Sequence, residues 1–243
     1  FKNFLNAINI NSKKFEAFIN LSNVYILQNK IKKGVEVLKE YLAVNNYQTN
    51  IVNHLGIICL KYNYENDLIE LFKYLDRDLN SDNNKNKFFL YYLQGKFLQK
   101  KNKINYSIDS YKKSIDLNSN YLETYIDLLS LLEQINKLEE FKVYLDIANV
   151  NFINEYRIKF FESLYYNRNK EFKRSQKLIN KYALKKKLKD NQNIYPRILD
   201  IISKNYEKMR NYNLSFKNIE ERNIFLSKLP ENKKFNKNII LDT

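Results

Sequence analysis

The chain has 243 residues, 44% apolar and 28% charged, and its 42 Lys and Arg against 27 Asp and Glu leave a formal net charge of +15. That apolar share excludes a disordered chain and predicts a packed core, while three Gly and two Pro are too few for the tight turns of a strand-rich fold. One Cys (Cys59) and one His (His54) exclude an internal disulfide and a multi-Cys or His-based metal site, and no run of eighteen apolar residues predicts a membrane span.

In chain order, helical periodicity runs through almost the whole length. Ile31, Val35, Leu38 and Leu42 recur at i, i+4, i+7 and i+11, and Ile104, Ile108, Tyr111 and Ile115 repeat the pattern. Asn- or Lys-rich breaks recur every fifteen to twenty residues, at 28–30, 45–46, Asn63, 81–86, 101–103, 118–120, Asn136, 167–170 and Arg210-Asn211. Helices of about fourteen residues with short breaks predict stacked helical hairpins in an all-α solenoid. Units starting at Phe15, Thr49, Phe88, Leu122, Tyr156 and Pro196 lie 34, 39, 34, 34 and 40 residues apart. Polar, loop-like insertions near 83–87 and 185–192 explain the two longer steps. The expected organisation is 1–14 as the end of a truncated preceding repeat, six repeats at 15–48, 49–82, 88–121, 122–155, 156–189 and 196–229, and 230–243 as a tail or the start of a further domain.

In this register the eighth position of each unit holds Ser22, Gly56, Gly95, Leu129, Ser163 and Ser203. The twentieth holds Gly34, Leu68, Ser107, Phe141, Ser175 and Ser215. The twenty-fourth is large and apolar throughout: Leu38, Phe72, Tyr111, Leu145, Ile179 and Ile219. A 34-residue helix–turn–helix period with this pattern resembles the tetratricopeptide repeat. The resemblance implies a right-handed superhelix in which the two helices of each hairpin approach closely at positions eight and twenty. All three glycines fall on those positions, and a helix-interior Gly costs about 1 kcal/mol relative to Ala, which a close approach would explain. The fit is imperfect. No unit carries the family's Pro at position thirty-two, Leu68 and Phe141 should splay their hairpins, and Lys159, Glu162 and Arg222 stand at usual core positions.

Nothing in the sequence predicts catalysis, a bound cofactor or a metal. There is no Gly-rich phosphate loop, Gly-x-Ser-x-Gly or His-Glu-x-x-His motif. Cys59 reads as a buried core thiol, and the twenty Tyr read chiefly as core. Lys185 to Lys187 with Lys189 form the densest basic run, which reads as an exposed loop tip or as a contact for an acidic surface.

The charge is uneven: residues 1–155 hold 20 basic and 18 acidic side chains (+2), residues 156–243 hold 22 and 9 (+13). Two readings stand, a compositional bias towards Lys and Asn (35 Lys against 7 Arg, 38 Asn) and a real acidic partner. The scarcity of Arg forks makes nucleic acid the less favoured partner.

The family resemblance implies that first helices line a concave groove for a protein or peptide. Its groove positions carried over give Asn23, Asn53, Ile57, Tyr92, Lys96, Lys100, Asn167 and Arg168. Asn side chains can grip a peptide backbone, and Lys96, Lys100 and Arg168 can hold a carboxylate. The carboxylate clamp of chaperone-binding members should be absent, because Phe89 and Leu93 stand where Lys and Arg are needed. The expected function is a non-catalytic, cytoplasmic binding scaffold. The alternatives are nucleic-acid binding through the basic last third and the front portion of a larger enzyme. For the latter, residues 206–212, Ser215-Phe216 and 220–223 resemble the last repeat preceding a sulfotransferase domain.

Overall fold

The computed structural model describes residues 14–45, 48–76 and 87–230. Among them the regular structure is entirely α-helical, in thirteen helices. These are α1 (Phe15–Leu27), α2 (Ile31–Asn45), α3 (Thr49–Tyr62), α4 (Glu65–Phe72), α5 (Phe88–Lys100), α6 (Ile104–Leu117), α7 (Leu122–Gln134), α8 (Leu138–Asn151), α9 (Tyr156–Arg168), α10 (Phe172–Lys181), α11 (Leu184–Lys187), α12 (Tyr195–Lys208) and α13 (Tyr212–Ser227). The chain divides into two compact units, one up to Thr124 and one from Tyr125. In the first, α3 packs between α1 and α5, and each of α1, α3 and α5 packs against the helix that follows it. In the second, α9 and α12 pack against each other and against α10, and α12 pairs with α13.

Most of these helices have no side chain capping their first turn; Glu155 before α9 and Asn211 before α13 do, accepting from Arg157 N (3.2 Å) and Leu214 N (3.2 Å). Short helices are marginal alone, so burial of one face must hold them. On α6 the periodic residues Ile108, Tyr111 and Ile115 are all buried. On α12 Pro196 occupies the first turn, where its missing N–H costs nothing.

Six hairpin turns are closed in the same way. Asn29, Asn63, Asn102, Asn136, Lys170 and Arg210 each adopt positive φ, between 56° and 63°. The next residue's N–H then reaches back five residues, as in Lys30 N to Tyr25 O (2.8 Å) and Asn211 N to Tyr206 O (2.8 Å). This bond satisfies a carbonyl that the helix end leaves orphaned. Asn enters the left-handed region more easily than other residues with a Cβ, which gives four of the many Asn a backbone role.

Inside the hairpins, positions twelve residues apart meet. Ser22 Oγ donates to Gly34 O (2.8 Å), Ser107 Oγ to Gly95 O (2.8 Å), and Ser175 Oγ to Ser163 O (2.9 Å), while Ser203 and Ser215 share a bond between hydroxyls (2.9 Å). Small residues here let a buried hydroxyl clamp one helix to the next. Where Leu68 and Phe141 replace the small residue, both are buried and no hydroxyl is present to make that bond.

Several sequence expectations need correction. The segment 185–192 is not a simple exposed loop: Leu184, which opens α11, and Leu188, which follows it, are both fully buried and pin it down. The proposed insertion near 83–87 lies outside the described residues except for Lys87, whose buried ammonium donates to Leu75 O (3.0 Å). Ile219 is 36% exposed instead of core, because no later helix among the described residues covers α13. Residues 1–13 and 231–243, expected to be a repeat remnant and a tail, also lie outside the described residues.

Two substitutions test this packing. A Cβ on Gly95 would sit 2.5 Å from the buried Tyr111 ring, and one on Gly56 would meet a methyl of Leu93 at 2.5 Å. Gly95→Leu costs about 1–3 kcal/mol, more than Gly56→Leu, because a methyl can turn aside and a packed ring cannot. Unfolding midpoints that rank the other way would contradict the packing. Lys170→Gly raises stability by about 0.5–1 kcal/mol, since Gly removes the left-handed penalty but adds freedom to the unfolded chain; chemical denaturation measures this gain.

Candidate functional site

The candidate residues of the first unit lie on α1, α3 and α5, helices that neighbour one another. Asn23 on α1 meets His54 on α3, with Oδ1 3.0 Å from Nε2. Burial depresses the His54 pKa, so the imidazole stays neutral near pH 7 and donates to the Asn carbonyl oxygen. Asn53, beside it, is partly buried, and its Oδ1 is shielded from solvent without a hydrogen-bond partner. Leaving such an acceptor unpaired costs about 1–3 kcal/mol. Ile57, one turn along the same face, is 46% exposed.

On α5 the residues divide. Tyr92 is buried at 9% exposure, its ring packed edgewise against Tyr121 (5.2 Å between centroids) and beside Phe89 and Tyr111. It belongs to the core, not to an open groove. Lys96 is partly exposed, with its ammonium 5.5 Å from the Tyr92 ring centroid, and Lys100 is exposed and donates to Asn63 Oδ1 at the end of α3. Leu93, where a clamp would need a cation, is buried against the gap left by Gly56.

In the second unit the two candidates serve the fold. Asn167 is 5% exposed and donates to Asn205 Oδ1 (2.8 Å). Asn205 in turn donates to Ser175 Oγ (3.0 Å) and Gln176 Oε1 (3.2 Å), so a buried amide network ties α9, α10 and α12. Arg168 is engaged with Glu133, whose other oxygen accepts from Arg197 (2.7 Å). Glu133 is nearly buried, and two guanidiniums balance its charge. Lys159, at a usual core position, is satisfied likewise by Asn149 Oδ1 (2.7 Å) and Glu162 Oε2 (3.0 Å).

Sequence reasoning missed one feature. A 640 Å³ cavity in the second unit is walled by α10, α11, α12 and α13, with Lys185, Lys186, Lys189 and Lys217 around it. The lysine run was visible, but nothing local placed it beside α13. Among the described residues no cluster of His, Cys, Asp and Glu could hold a metal, and no helix is long and apolar enough to cross a membrane. The stretch 206–212, which resembled a repeat preceding a sulfotransferase domain, forms the turn from α12 to α13.

No protein-family model matches the chain, and no curated protein matches it in sequence. Solved structures do match in fold. Pseudomonas aeruginosa pilF superposes with a TM-score of 0.65 at 12% identity, over 92% of this chain and 96% of that one. A tetratricopeptide repeat protein from Parabacteroides merdae gives 0.62 at 12% identity, over 89% and 80%. The hetero-tetramer of Cut9 and Hcn1 gives 0.54 at 12% identity, over 93% of this chain but 41% of that one. The chain therefore has the tetratricopeptide-repeat fold, an all-α array of helical hairpins.

Two measurements probe these interiors. Glu133→Ala leaves Arg168 and Arg197 without their shared carboxylate and costs about 1.5–3 kcal/mol by chemical denaturation. Burial pushes the Cys59 thiol up to about 12 from its usual 9.0, so the native state favours the neutral thiol. A disulfide reagent should label Cys59 only after unfolding. The thiol's contribution to stability is complete below pH 9 and is lost as pH rises from there towards 12, because the unfolded chain sheds the proton first. Fast labelling of the folded chain would contradict this burial.

Proposed function

We propose that the chain is a non-catalytic scaffold that binds an extended segment of a partner protein across its first-helix face. The observation that carries this reading is Asn53, a shielded amide oxygen with no donor, on a face that also exposes Ile57. Turned outward, the Asn53 amide would accept a peptide N–H, and a partner's apolar side chain would cover Ile57. Lys96 supplies positive charge on the neighbouring α5, which suits an acidic residue in the partner. Asn23 takes part through His54, holding the α1–α3 contact beside this face.

The division into six repeats, at 15–48, 49–82, 88–121, 122–155, 156–189 and 196–229, belongs to the same proposal, as does a cytoplasmic location. Support for repeated units comes from the six identically closed turns. Support for protein binding comes from the fold, which Cut9 displays in a complex with Hcn1.

Selection from a random peptide library on the purified chain tests the reading. Selected peptides should lose about tenfold or more in affinity with Ile57→Glu or with Lys96→Glu and Lys100→Glu together, with the circular dichroism spectrum unchanged. Selected peptides that bind these variants as tightly as the parent chain would reject the face.

A further inference from the structure

The lysine-walled cavity of the second unit lies apart from the first-helix face and goes beyond the reading just given. Its geometry begins at Ala183, whose positive φ of 50° turns the chain out of α10. Leu184 and Leu188 then bury completely and fix the orientation of α11. The first lysine of the run is spent internally. Lys185 donates to Glu221 Oε2 (2.6 Å) and Asn218 Oδ1 (2.8 Å), and the Tyr195 hydroxyl donates to the other oxygen of Glu221. Burial alone would raise the Glu221 carboxyl, but these two donors outweigh it and hold it below the usual carboxylate value. The one carboxylate on the wall is thus ionised and already neutralised.

The remaining lysines on the wall are Lys186, Lys189 and Lys217. All three are exposed, and among the described residues no ion pair engages them. Lys186 and Lys189 stand three residues apart across the end of α11, where Lys189 N donates to Lys186 O (3.4 Å), while Lys187 does not line the cavity. Lys217 faces them from α13. Ile179, Ile202 and Leu214 line the same cavity, with Leu214 exposed and the two isoleucines buried. Arginine is absent from the lining, whereas five arginines of the chain are paired with carboxylates elsewhere, two of them sharing Glu133. Three lysine point charges beside apolar lining suit separated carboxylates flanking an aliphatic side chain better than they suit the forked recognition of phosphate.

We propose that this cavity is a second binding site, for an acidic segment of a partner protein whose Asp or Glu side chains meet Lys186, Lys189 and Lys217 while an aliphatic side chain rests on Ile179, Ile202 and Leu214. Its size, 640 Å³, is that of a site for a few residues of peptide.

The test uses the full chain and a fluorescent fifteen-residue peptide alternating Glu, Asp and Leu, read by anisotropy. Saturable binding is expected, weakened about tenfold by Lys186→Glu with Lys189→Glu, and weakened again by raised salt. Lys217→Glu alone should give a smaller loss, and Lys33→Glu, on α2 and outside both proposed sites, should give none. Lys33, Lys100, Lys186, Lys189 and Lys217 are exposed and Lys96 is partly so, and unchanged helicity confirms folding. Undiminished binding by the Lys186/Lys189 variant overturns the site. So does preference for inorganic tripolyphosphate or single-stranded RNA over the peptide. Binding lost through Lys96 and Lys100 instead would reject the cavity and leave the first-helix scaffold standing. Absence of this peptide's binding, while library-selected peptides still bind through Ile57, would do the same.

Discussion

The close approach of two antiparallel helices at residues twelve apart is the constraint on which the hairpins depend. A hydroxyl buried between helices must find a partner or cost free energy. Ser22, Ser107 and Ser175 find it in a backbone carbonyl of the partner helix, and Ser203 finds it in Ser215. Each such bond requires the facing residue to be small, and glycine or serine provides the room. Gly95 shows the second use of that room, because the Tyr111 ring occupies the space a Cβ would fill, and its hydroxyl reaches Gln99 Oε1 at 3.0 Å.

The turns complete this geometry. A left-handed residue and a bond across five residues reverse the chain within two or three positions, leaving little slack between paired helices. The hairpins then pass their apolar faces to neighbours, since one hairpin cannot bury its own. In the second unit, polar groups caught in these contacts find partners in the Asn167–Asn205 network, the Lys159–Glu162 pair and the Glu133 carboxylate between two arginines.

That pairing sorts the charge. Five of the six arginines among the described residues are paired with carboxylates of the chain, whereas many lysines remain on exposed surface. The +13 excess of residues 156–243 is therefore mostly lysine, and part of it gathers around one cavity. Positive charge gathered at a concave place exerts a stronger field than the same charge spread over a surface.

Helix type and turn chemistry were legible from local pattern, because the 3.6-residue periodicity and the placement of Asn act over a few neighbouring residues. The small residues at Ser22, Gly95 and Ser175 signalled close approach, but not that a hydroxyl would use it, since its acceptor lies on another helix. The candidate site was legible only in part. Asn53 and Ile57 kept an open or unsatisfied face, whereas Tyr92, Asn167 and Arg168 were claimed by ring packing, a buried amide and a carboxylate on helices distant in sequence. Lys185 to Lys189 read as a loop because local composition is blind to Leu184 and Leu188 reaching into the core. Sequence alone determined which segments coil and where they reverse; the tertiary structure decided which polar side chains are spent inside and which stay free, because that depends on contacts between elements dozens of residues apart.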